Sequence, residues 1–437
     1  MTQDAAKQMV EHLASGDPYA RTAAAVLRLL FAQGPGADFS AELWDGSRVA
    51  SGRCSQFTLK VNSPAALRLA LSPPVDLNAG RALAANLLEC EGNIETAVDT
   101  IYRLINGFRR SSALRLYSLL LRLPKARLPK LREAHLRGKL HSVERDRAAI
   151  GFHYDQPVEF YRSFLGADMV YSCAYFDDGV QTLEQAQTAK MDYALRKLRL
   201  RPGERLLDIG CGWGALVVRA AQEFGAEVVG VTLSRLQCEE GKRRIEQAGL
   251  AGRATIELRD YRELDGEPFD KIISVGMFEH VGRPNLPAYF KKAFALLRPG
   301  GLFLNHGIAE QNAGRPGGKV TGFMGRFIFP DGELVAVGDA LAIAERCGFE
   351  VRDVENLREH YARTLRCWLA NLQANKEEAV ASTDEQTYRA WRLYIAASAQ
   401  GFTIGRLGVF QSLLAKAPDG RVNLPATRRD LYLLPKP

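Results

Sequence analysis

The sequence predicts an α/β protein in which a mainly parallel, doubly wound sheet fills the larger C-terminal part and a small α+β domain precedes it. Three observations carry this prediction. From about residue 200, short apolar segments alternate with longer segments of helical periodicity, which is typical of βαβ units. The first of these apolar segments, 205–209, continues directly into a glycine-rich loop. The chain has 437 residues, enough for two or three domains.

The first part of the chain mixes helical and strand-like patterns. Its predicted elements are a helix at 21–33, strands at 39–43 and 57–61, and helices at 78–88 and 94–105. The dipeptide Asp45-Gly46 is a turn signal between the two strands. We therefore expect three regions along the chain: an N-terminal α+β domain at 1–123, a basic linker at 124–150 and a larger domain at 151–437.

The larger domain repeats a strand–turn–helix pattern. Its predicted strands are 205–209, 227–233, 255–258, 271–275 and 302–305, and its predicted helices are 215–224, one that begins after Ser234, and 287–297. Gly225 stands where a helix C-cap belongs, and Ser234 is a typical N-cap. This alternation predicts a parallel sheet with helices on both faces.

The composition is that of an ordinary globular protein, with 46% hydrophobic and 25% charged residues, which excludes a mainly disordered or fibrous chain. No apolar run is long enough to span a bilayer, and residues 1–20 lack the pattern of a secretory signal, so we expect a cytoplasmic protein. The seven cysteines include no C-x-x-C pair. We therefore expect reduced thiols and no metal site.

The positive charge is concentrated in one segment. The chain carries a net charge of +8, whereas residues 103–139 hold 11 basic side chains against the single acid Glu133. Such a surplus indicates a polyanionic partner, either an anionic membrane surface or a nucleic acid, although a solvated helix and linker would also account for it. Only Phe108 and Tyr117 interleave aromatic rings with these charges, so we expect no nucleic-acid binding.

The strongest local motif is L-L-D-I-G-C-G-W-G at 206–214, where a strand meets a loop with Gly210, Gly212 and Gly214. Glycines let the backbone approach a ligand closely, and ligands of open parallel sheets bind at the carboxyl ends of strands. The G-x-G-x-G spacing argues against a dinucleotide, and the carboxylate of Asp208 would repel a pyrophosphate. That carboxylate would instead attract the cationic amino-acid end of a cofactor. A tight turn without a ligand is the alternative.

This loop resembles motif I of class I S-adenosylmethionine-dependent methyltransferases. Further segments resemble the cyclopropane-fatty-acyl-phospholipid synthases and their relatives, the mycolic acid cyclopropane synthases. These segments are Y-S-C-A-Y (171–175), Q-A-Q-T-A-K-M-D (185–192), G-V-T-L-S-R-L-Q (230–237), V-G-M-F-E-H-V-G (275–282) and N-H-G-I (305–308). The resemblance covers about 150–437. It implies a Rossmann-like seven-stranded methyltransferase sheet with a helical acyl-binding cover, and a peripheral enzyme with an N-terminal domain that engages lipid and dimerises.

The resemblance also implies a reaction. An alkene in a phospholipid acyl chain attacks the sulfonium methyl of S-adenosylmethionine, a carbocation forms on the chain, and bound bicarbonate removes a proton so that a cyclopropane ring closes. The positions that match the bicarbonate site are Cys173, Glu279, His306, the backbone of Ile308, and Tyr361. Taken singly, each has a plainer explanation as a core or helix-start residue.

The resemblance further assigns the cofactor site. Tyr171 and Ser172 match the segment that closes over the cofactor. The loop near its methionine part comprises Asp208, Gly210, Cys211, Gly212, Trp213 and Gly214, and the ribose side comprises Thr232, Leu233, Ser234 and Gln237. Asp260 and Tyr261 lie where the adenine is expected. The second strand ends without the acid that most methyltransferases place there, a departure that this family shares.

Three alternatives remain open. Within the family, methyl addition without ring closure would give a methyl-branched chain. A non-catalytic lipid-binding or lipid-transfer protein would not need the intact loop from Asp208 to Gly214. A nucleic-acid methyltransferase would explain the basic segment, but the chain lacks N-P-P-Y-type or catalytic-cysteine contexts for base methylation. The resemblance and the basic segment together indicate an anionic phospholipid bilayer at the inner membrane face as the partner, and the resemblance implies a homodimer.

Overall fold

The computed structural model describes residues 10–12, 14, 16–32, 39–50, 55–180, 182–310, 318–422 and 424–432. The strands, in chain order, are β1 (Val10–His12), β2 (Ser40–Leu43), β3 (Arg48–Ala50), β4 (Phe57–Val61), β5 (Leu88–Gly92), β6 (Arg205–Ile209), β7 (Glu227–Thr232), β8 (Ala254–Leu258), β9 (Phe269–Val275), β10 (Leu297–Glu310), β11 (Gly318–Lys319), β12 (Glu333–Leu334), β13 (Glu350–Asn356) and β14 (Leu407–Ala415).

The helices, in the same order, are α1 (Pro18–Phe31), α2 (Ala66–Ala70), α3 (Val75–Ala84), α4 (Ile94–Gly107), α5 (Arg110–Arg122), α6 (Val143–Tyr154), α7 (Val158–Leu165), α8 (Leu183–Lys197), α9 (Ala215–Glu223), α10 (Arg235–Gln247), α11 (Leu286–Leu296), α12 (Gly322–Phe327), α13 (Val337–Arg346), α14 (Arg358–Ala374), α15 (Lys376–Ser382), α16 (Glu385–Thr403) and α17 (Arg429–Tyr432). None of the helices in the described part of the chain is both long and apolar enough to cross a membrane.

The chain divides into two compact units. The first contains Met1–Glu133, Thr321–Ile328 and Thr383–Gln400, and the second contains Ala134–Val320, Phe329–Ser382 and Gly401–Pro437. The main stretch of the first unit thus ends inside the predicted linker 124–150. The unit also takes two segments from late in the chain, which the sequence patterns did not indicate.

The first unit contains a five-stranded sheet in the order β1-β3-β2-β4-β5. Helix α1 begins at Pro18, where the carboxylate of Asp17 accepts a hydrogen bond from the backbone N–H of Tyr19. The predicted helix at 78–88 is confirmed as far as residue 84 and is wrong over its last four residues. Helix α3 ends at Ala84, and Leu88–Gly92 forms β5, antiparallel to β4. Pairing with β4 overrides the local helical pattern there.

The second unit contains a seven-stranded sheet in the order β13-β14-β10-β9-β6-β7-β8. Strands β10, β9, β6, β7 and β8 are parallel neighbours, and β14 is antiparallel to both β10 and β13. This is the predicted mainly parallel sheet. Two apolar clusters of buried residues pack around it, one including Leu206 and Val217 and the other Leu207 and Phe303.

The order in which successive strands are added to this sheet reverses beside β6. From β6 it builds outward through β7 and β8, and it then returns to add β9 on the other side of β6. Such a switch point opens a crevice at the carboxyl ends of the strands, which is where ligands bind in open α/β sheets. The glycine loop 210–214 lies directly at this point.

Candidate active site

A cavity of about 1200 Å³, including the space at its mouth, lies in the second unit at the switch point. It is lined by the end of β6, the glycine loop, the end of β7 and the segments that follow β8 and β9. Of the residues predicted to bind the cofactor, those that line it are Tyr171, Ser172, Asp208, Gly210, Cys211, Gly212, Trp213, Thr232, Leu233, Gln237, Asp260 and Tyr261. Twelve dispersed positions thus come together around one cavity.

The glycine loop requires its glycines. Gly210, Gly212 and Gly214 have φ angles of 81°, 55° and 82°, in the left-handed region that glycine adopts without strain. The backbone N–H of Gly210 donates to the carbonyl of Val231 at 2.9 Å, which ties the loop to β7. A Cβ built on Gly212 meets no atom within 4 Å, because that position faces open space. The loop is a backbone cradle that a ligand can approach closely.

Gly214 and Ser234 do not line the cavity but support it. Gly214 is the N-cap of α9, and a Cβ there would lie 2.7 Å from Cδ1 of Ile256. Ser234 is the N-cap of α10, as predicted, because its hydroxyl accepts from the backbone N–H of Gln237 at 3.3 Å. The Thr232 hydroxyl donates to Oε1 of Gln237 at 2.8 Å. These bonds fix the polar groups at the end of β7.

Asp260 is held by a residue that the sequence analysis did not single out. Its carboxylate accepts three hydrogen bonds from Arg262, one from the backbone N–H and two from the guanidinium, at 2.7 to 2.9 Å. Both residues line the cavity beside Tyr261, whose ring packs edge-on against Tyr289 with centroids 5.5 Å apart. Asp260 therefore has little freedom to reorient, and the Tyr261 ring supplies a flat apolar wall.

Trp213 and Tyr171 also line the cavity, and each packs against another aromatic ring. The Trp213 ring lies 4.7 Å from that of Tyr161, and the Tyr171 ring lies 5.2 Å from that of Trp368. The buried indole N–H of Trp213 has no acceptor within the described residues.

The five residues predicted to bind bicarbonate do not line this cavity. Glu279 follows β9, in a short 3-10 helix that spans Phe278–His280. Its Oε1 accepts from the backbone N–H of Ile308 at 2.5 Å, whereas Oε2 is buried without a hydrogen-bond partner in the described part of the chain. Burial raises the pKa of this carboxyl to about 7, so near neutral pH it exists in both protonation states.

His306 lies on β10, opposite Gln411 on β14. The Gln411 side-chain amide lies 3.2 Å from Nδ1 of His306, and Nε2 has no partner among the described residues. Burial, followed by the charges of Lys190 and Lys197, lowers the pKa of the imidazole to about 3. The ring is therefore neutral. With the amide donating to Nδ1, its proton lies on Nε2 and remains available to an anion.

Cys173 and Tyr361 meet at one carbonyl. The Cys173 thiol donates to the backbone oxygen of Leu357 at 3.7 Å, and the backbone N–H of Tyr361 donates to the same oxygen at 3.0 Å. Burial raises the pKa of the thiol far above the physiological range, so it stays protonated and is a poor nucleophile. The Tyr361 ring packs against Phe402 with centroids 4.7 Å apart.

The glycine loop and the cavity fit the cofactor expected from the sequence. The open glycine cradle leaves room for a nucleoside with an amino-acid tail, and Glu279 and His306 each keep one buried polar atom without a partner among the described residues. The described residues contain no group of His, Cys, Asp or Glu side chains that could hold a metal ion. Lys190, to which the sequence analysis gave no role, also lines the cavity.

Comparison with known proteins identifies the family. The family described as mycolic acid cyclopropane synthetase matches residues 141–412. A probable fatty acid methyltransferase of Pseudomonas putida is 41% identical over 396 residues, which is 90% of this chain and 95% of that protein. Cyclopropane mycolic acid synthase 1 of Mycobacterium tuberculosis is 38% identical over 274 residues, 60% of this chain and 95% of its own length.

Solved structures agree with these matches. The cyclopropane synthase MmaA2 from Mycobacterium tuberculosis superposes with a TM-score of 0.59 at 35% identity, covering 62% of this chain and 98% of that one. The mycolic acid cyclopropane synthase CmaA1, complexed with SAH and CTAB, gives a TM-score of 0.58 at 37% identity with the same coverage. The chain thus has the fold of the S-adenosylmethionine-dependent methyltransferases and belongs to the mycolic acid cyclopropane synthetase family.

Proposed function

We propose that this protein transfers a methylene group from S-adenosylmethionine to the cis double bond of an unsaturated acyl chain in a membrane phospholipid and forms a cyclopropane ring, with bound bicarbonate as the base. The observation that carries the proposal is that two buried residues, Glu279 and His306, each keep one polar atom without a partner in the described part of the chain. A cyclopropane-forming site needs such an anion pocket near the cofactor.

The cofactor is held in the cavity at the switch point. Bound there, S-adenosylmethionine supplies an electrophilic methyl group to the alkene and leaves as S-adenosylhomocysteine. The backbone of Gly210 and Gly212 would hold its amino-acid part, Thr232 and Gln237 would bind its ribose, and Tyr261 would flank its adenine, since all five residues line the cavity. S-adenosylhomocysteine in the structure of the related CmaA1 supports this assignment.

In this proposal, Glu279 and His306 bind the bicarbonate that removes a proton from the transferred methyl group. His306 donates from Nε2 to an oxyanion, and the Ile308 N–H keeps Glu279 oriented. Two adjacent anions would repel one another, and the raised pKa of Glu279 relieves this because a protonated carboxyl donates a hydrogen bond to bicarbonate. Bicarbonate bound there supplies a base of modest strength. The protonated thiol of Cys173 does not capture the carbocation that forms on the acyl chain.

The membrane-facing element in this proposal is α5. Leu114, Tyr117 and Leu121 recur at helical spacing along one face, with exposures of 83%, 62% and 51%. Arg115 and Arg122 flank them, and Lys125, Arg127 and Lys130 follow in an exposed segment. Exposed apolar side chains beside clustered cations suit an anionic bilayer, because the side chains insert while the cations bind headgroups. We also propose peripheral binding at the inner face of the membrane by a homodimer.

A second candidate function is methyl branching of the acyl chain without ring closure. The name of the Pseudomonas putida relative, probable fatty acid methyltransferase, favours it, since that protein is similar over 90% of this chain. Both products gain one CH2 relative to the substrate. A cyclopropane keeps the ring-plus-double-bond count of the alkene, whereas a saturated methyl branch lowers it by one and requires a reductant.

The test is lipid analysis of cells that express the chain, with Glu279→Gln as the inactive control. We expect a phospholipid acyl chain that has gained CH2, keeps its ring-plus-double-bond count and resists mild hydrogenation that saturates alkenes. A product with two additional hydrogens would establish methyl branching and overturn ring formation. If the purified protein binds no S-adenosylhomocysteine by calorimetry, the non-catalytic lipid-binding alternative is favoured.

A further inference from the structure

A lysine is buried in the wall of the cavity. Lys190 lies on α8, its side chain is 1% exposed, and its Nζ donates to the hydroxyl of Ser172 at 2.8 Å. In the described part of the chain no carboxylate oxygen lies within 4.0 Å of this Nζ. A buried ammonium is costly without a charged partner, and Ser172 is the one hydrogen-bond acceptor that the described residues offer to the three N–H groups of this ammonium.

An acid of opposite charge faces the same cavity. Asp208, near the end of β6, is 2% exposed, and it makes neither an ion pair nor a side-chain hydrogen bond with the described residues. Burial raises its pKa to about 7 and lowers that of Lys190 to about 8, and each charge partly offsets the effect of burial on the other. The two side chains sense one another electrostatically but leave a gap between them.

A zwitterionic amino acid is complementary to this arrangement. It presents an ammonium and a carboxylate on one carbon, so it can pair with both side chains at once. Ser172 and the glycine loop line the same space. The geometry points to Lys190, oriented by Ser172, as the residue that binds the α-carboxylate of the cofactor's amino-acid end while Asp208 binds its α-amino group. This inference rests on the proposed function, which places S-adenosylmethionine in the cavity.

The experiment compares three ligands by calorimetry on the full chain: S-adenosylhomocysteine, its decarboxylated analogue, which keeps the amine, and methylthioadenosine, which lacks both groups. Wild-type protein should bind S-adenosylhomocysteine at least about tenfold more tightly than the decarboxylated analogue, as expected for a charged hydrogen bond. Lys190→Gln should lower the affinity for S-adenosylhomocysteine by roughly 10- to 100-fold. It should change the affinity for the decarboxylated analogue by no more than about twofold.

Lys197 provides a matched control. It is a second fully buried lysine and the last residue of α8, the helix that also carries Lys190. It pairs with Glu355 and Asp353 instead of lining the cavity. Lys197→Gln should lower thermal stability without changing the ratio of the two affinities. Asp208→Asn should remove the preference for the decarboxylated analogue over methylthioadenosine.

The possible outcomes separate the two ideas. The assignment of Lys190 is overturned, while the cofactor site stands, if Lys190→Gln lowers the affinities for all three ligands equally. The same holds if wild-type protein binds S-adenosylhomocysteine no more tightly than its decarboxylated analogue. If wild-type protein binds none of the three adenosine ligands, the proposed function fails and this inference fails with it. The wild-type comparison decides the question even where a variant does not fold.

Discussion

The carboxylate of Glu279 accepts a hydrogen bond from the backbone N–H of Ile308 at 2.5 Å and leaves its second oxygen buried without a partner in the described part of the chain. The bond links the segment after β9 to β10, the strand that carries His306. If Glu279 served only to accept the hydrogen bond from Ile308, burying its second oxygen away from water would cost stability without a return. The second oxygen of Glu279 is thus available for the anion that we propose to bind there.

Replacement of this glutamate should separate chemistry from cofactor binding. Glu279→Gln keeps the acceptor for Ile308 but removes the ionisable carboxyl, so we expect kcat to fall by about 100-fold or more. Affinity for S-adenosylhomocysteine, measured by calorimetry, should change little because Glu279 does not line the cavity. Glu239→Gln, an exposed position on α10, serves as the control. Unchanged turnover in Glu279→Gln would refute the proposed role.

The same substitution should change the pH dependence of stability. Because burial raises the pKa of Glu279 from 4.5 to about 7, the folded state holds this proton more tightly than the unfolded state does. The contribution of Glu279 to stability is thus present below about pH 4.5 and is lost as pH rises towards 7. Glu279→Gln should therefore be more stable than wild type at pH 8, by up to roughly 3 kcal/mol, with the difference shrinking towards pH 5.

Urea unfolding at the two pH values measures this difference. Comparing the variant with wild type cancels the contributions of other titrating groups. A variant that is less stable than wild type at pH 8 would show that the carboxylate is ionised and well stabilised in the folded protein, contrary to the raised pKa.

Two glycines of the loop should respond differently to alanine. Gly212→Ala points a methyl group into the open cavity, so it should weaken S-adenosylhomocysteine binding strongly while costing only the left-handed strain of about 1 kcal/mol. Gly214→Ala adds a contact 2.7 Å from Ile256 inside the core and should lower thermal stability more. Calorimetry and thermal unfolding of both variants test this. Equal effects of the two substitutions on binding would contradict the cradle.

The membrane surface makes a separate prediction. Neutralising Arg122, Lys125, Arg127 and Lys130 together should weaken sedimentation with anionic vesicles and reduce its sensitivity to salt. The matched control neutralises four exposed cations of the second unit, Arg201, Lys242, Arg253 and Lys291. It should reduce sedimentation with anionic vesicles much less. Leu114→Ser should weaken binding at high salt, where insertion outweighs charge. If neutralising Arg122, Lys125, Arg127 and Lys130 leaves sedimentation unchanged, α5 and the basic segment after it do not bind the membrane.

Much of the fold could be predicted from local pattern. Strand β6, its glycine loop and the cap Ser234 were predictable because buried apolar runs, left-handed backbone and capping each demand particular residue types at fixed spacing. Strand β5 could not be predicted in this way, because Leu88–Gly92 becomes a strand only through its pairing with β4. Strand β13 is largely polar and partly exposed, so it gives no apolar signal.

The site divides in the same manner. Glycines and the loop acid are informative by themselves, whereas Lys190 and Arg262 are not, since lysine and arginine are usually surface residues. Their roles depend on partners that folding brings near, namely Ser172 for Lys190 and Asp260 for Arg262. The positions of Glu279 and His306 could be inferred from the family resemblance, but their unpartnered atoms are a property of the folded chain.

Trp213 gives the protein an internal optical reporter. Its indole lies among Tyr154, Tyr161 and the glycine loop, and a nucleoside entering the cavity must change both the polarity around the ring and the hydrogen bonding of its N–H. Its contribution to the emission of the four tryptophans of the chain should therefore shift or be quenched upon ligand entry, so that occupancy can be titrated without a radiolabel or a coupled assay.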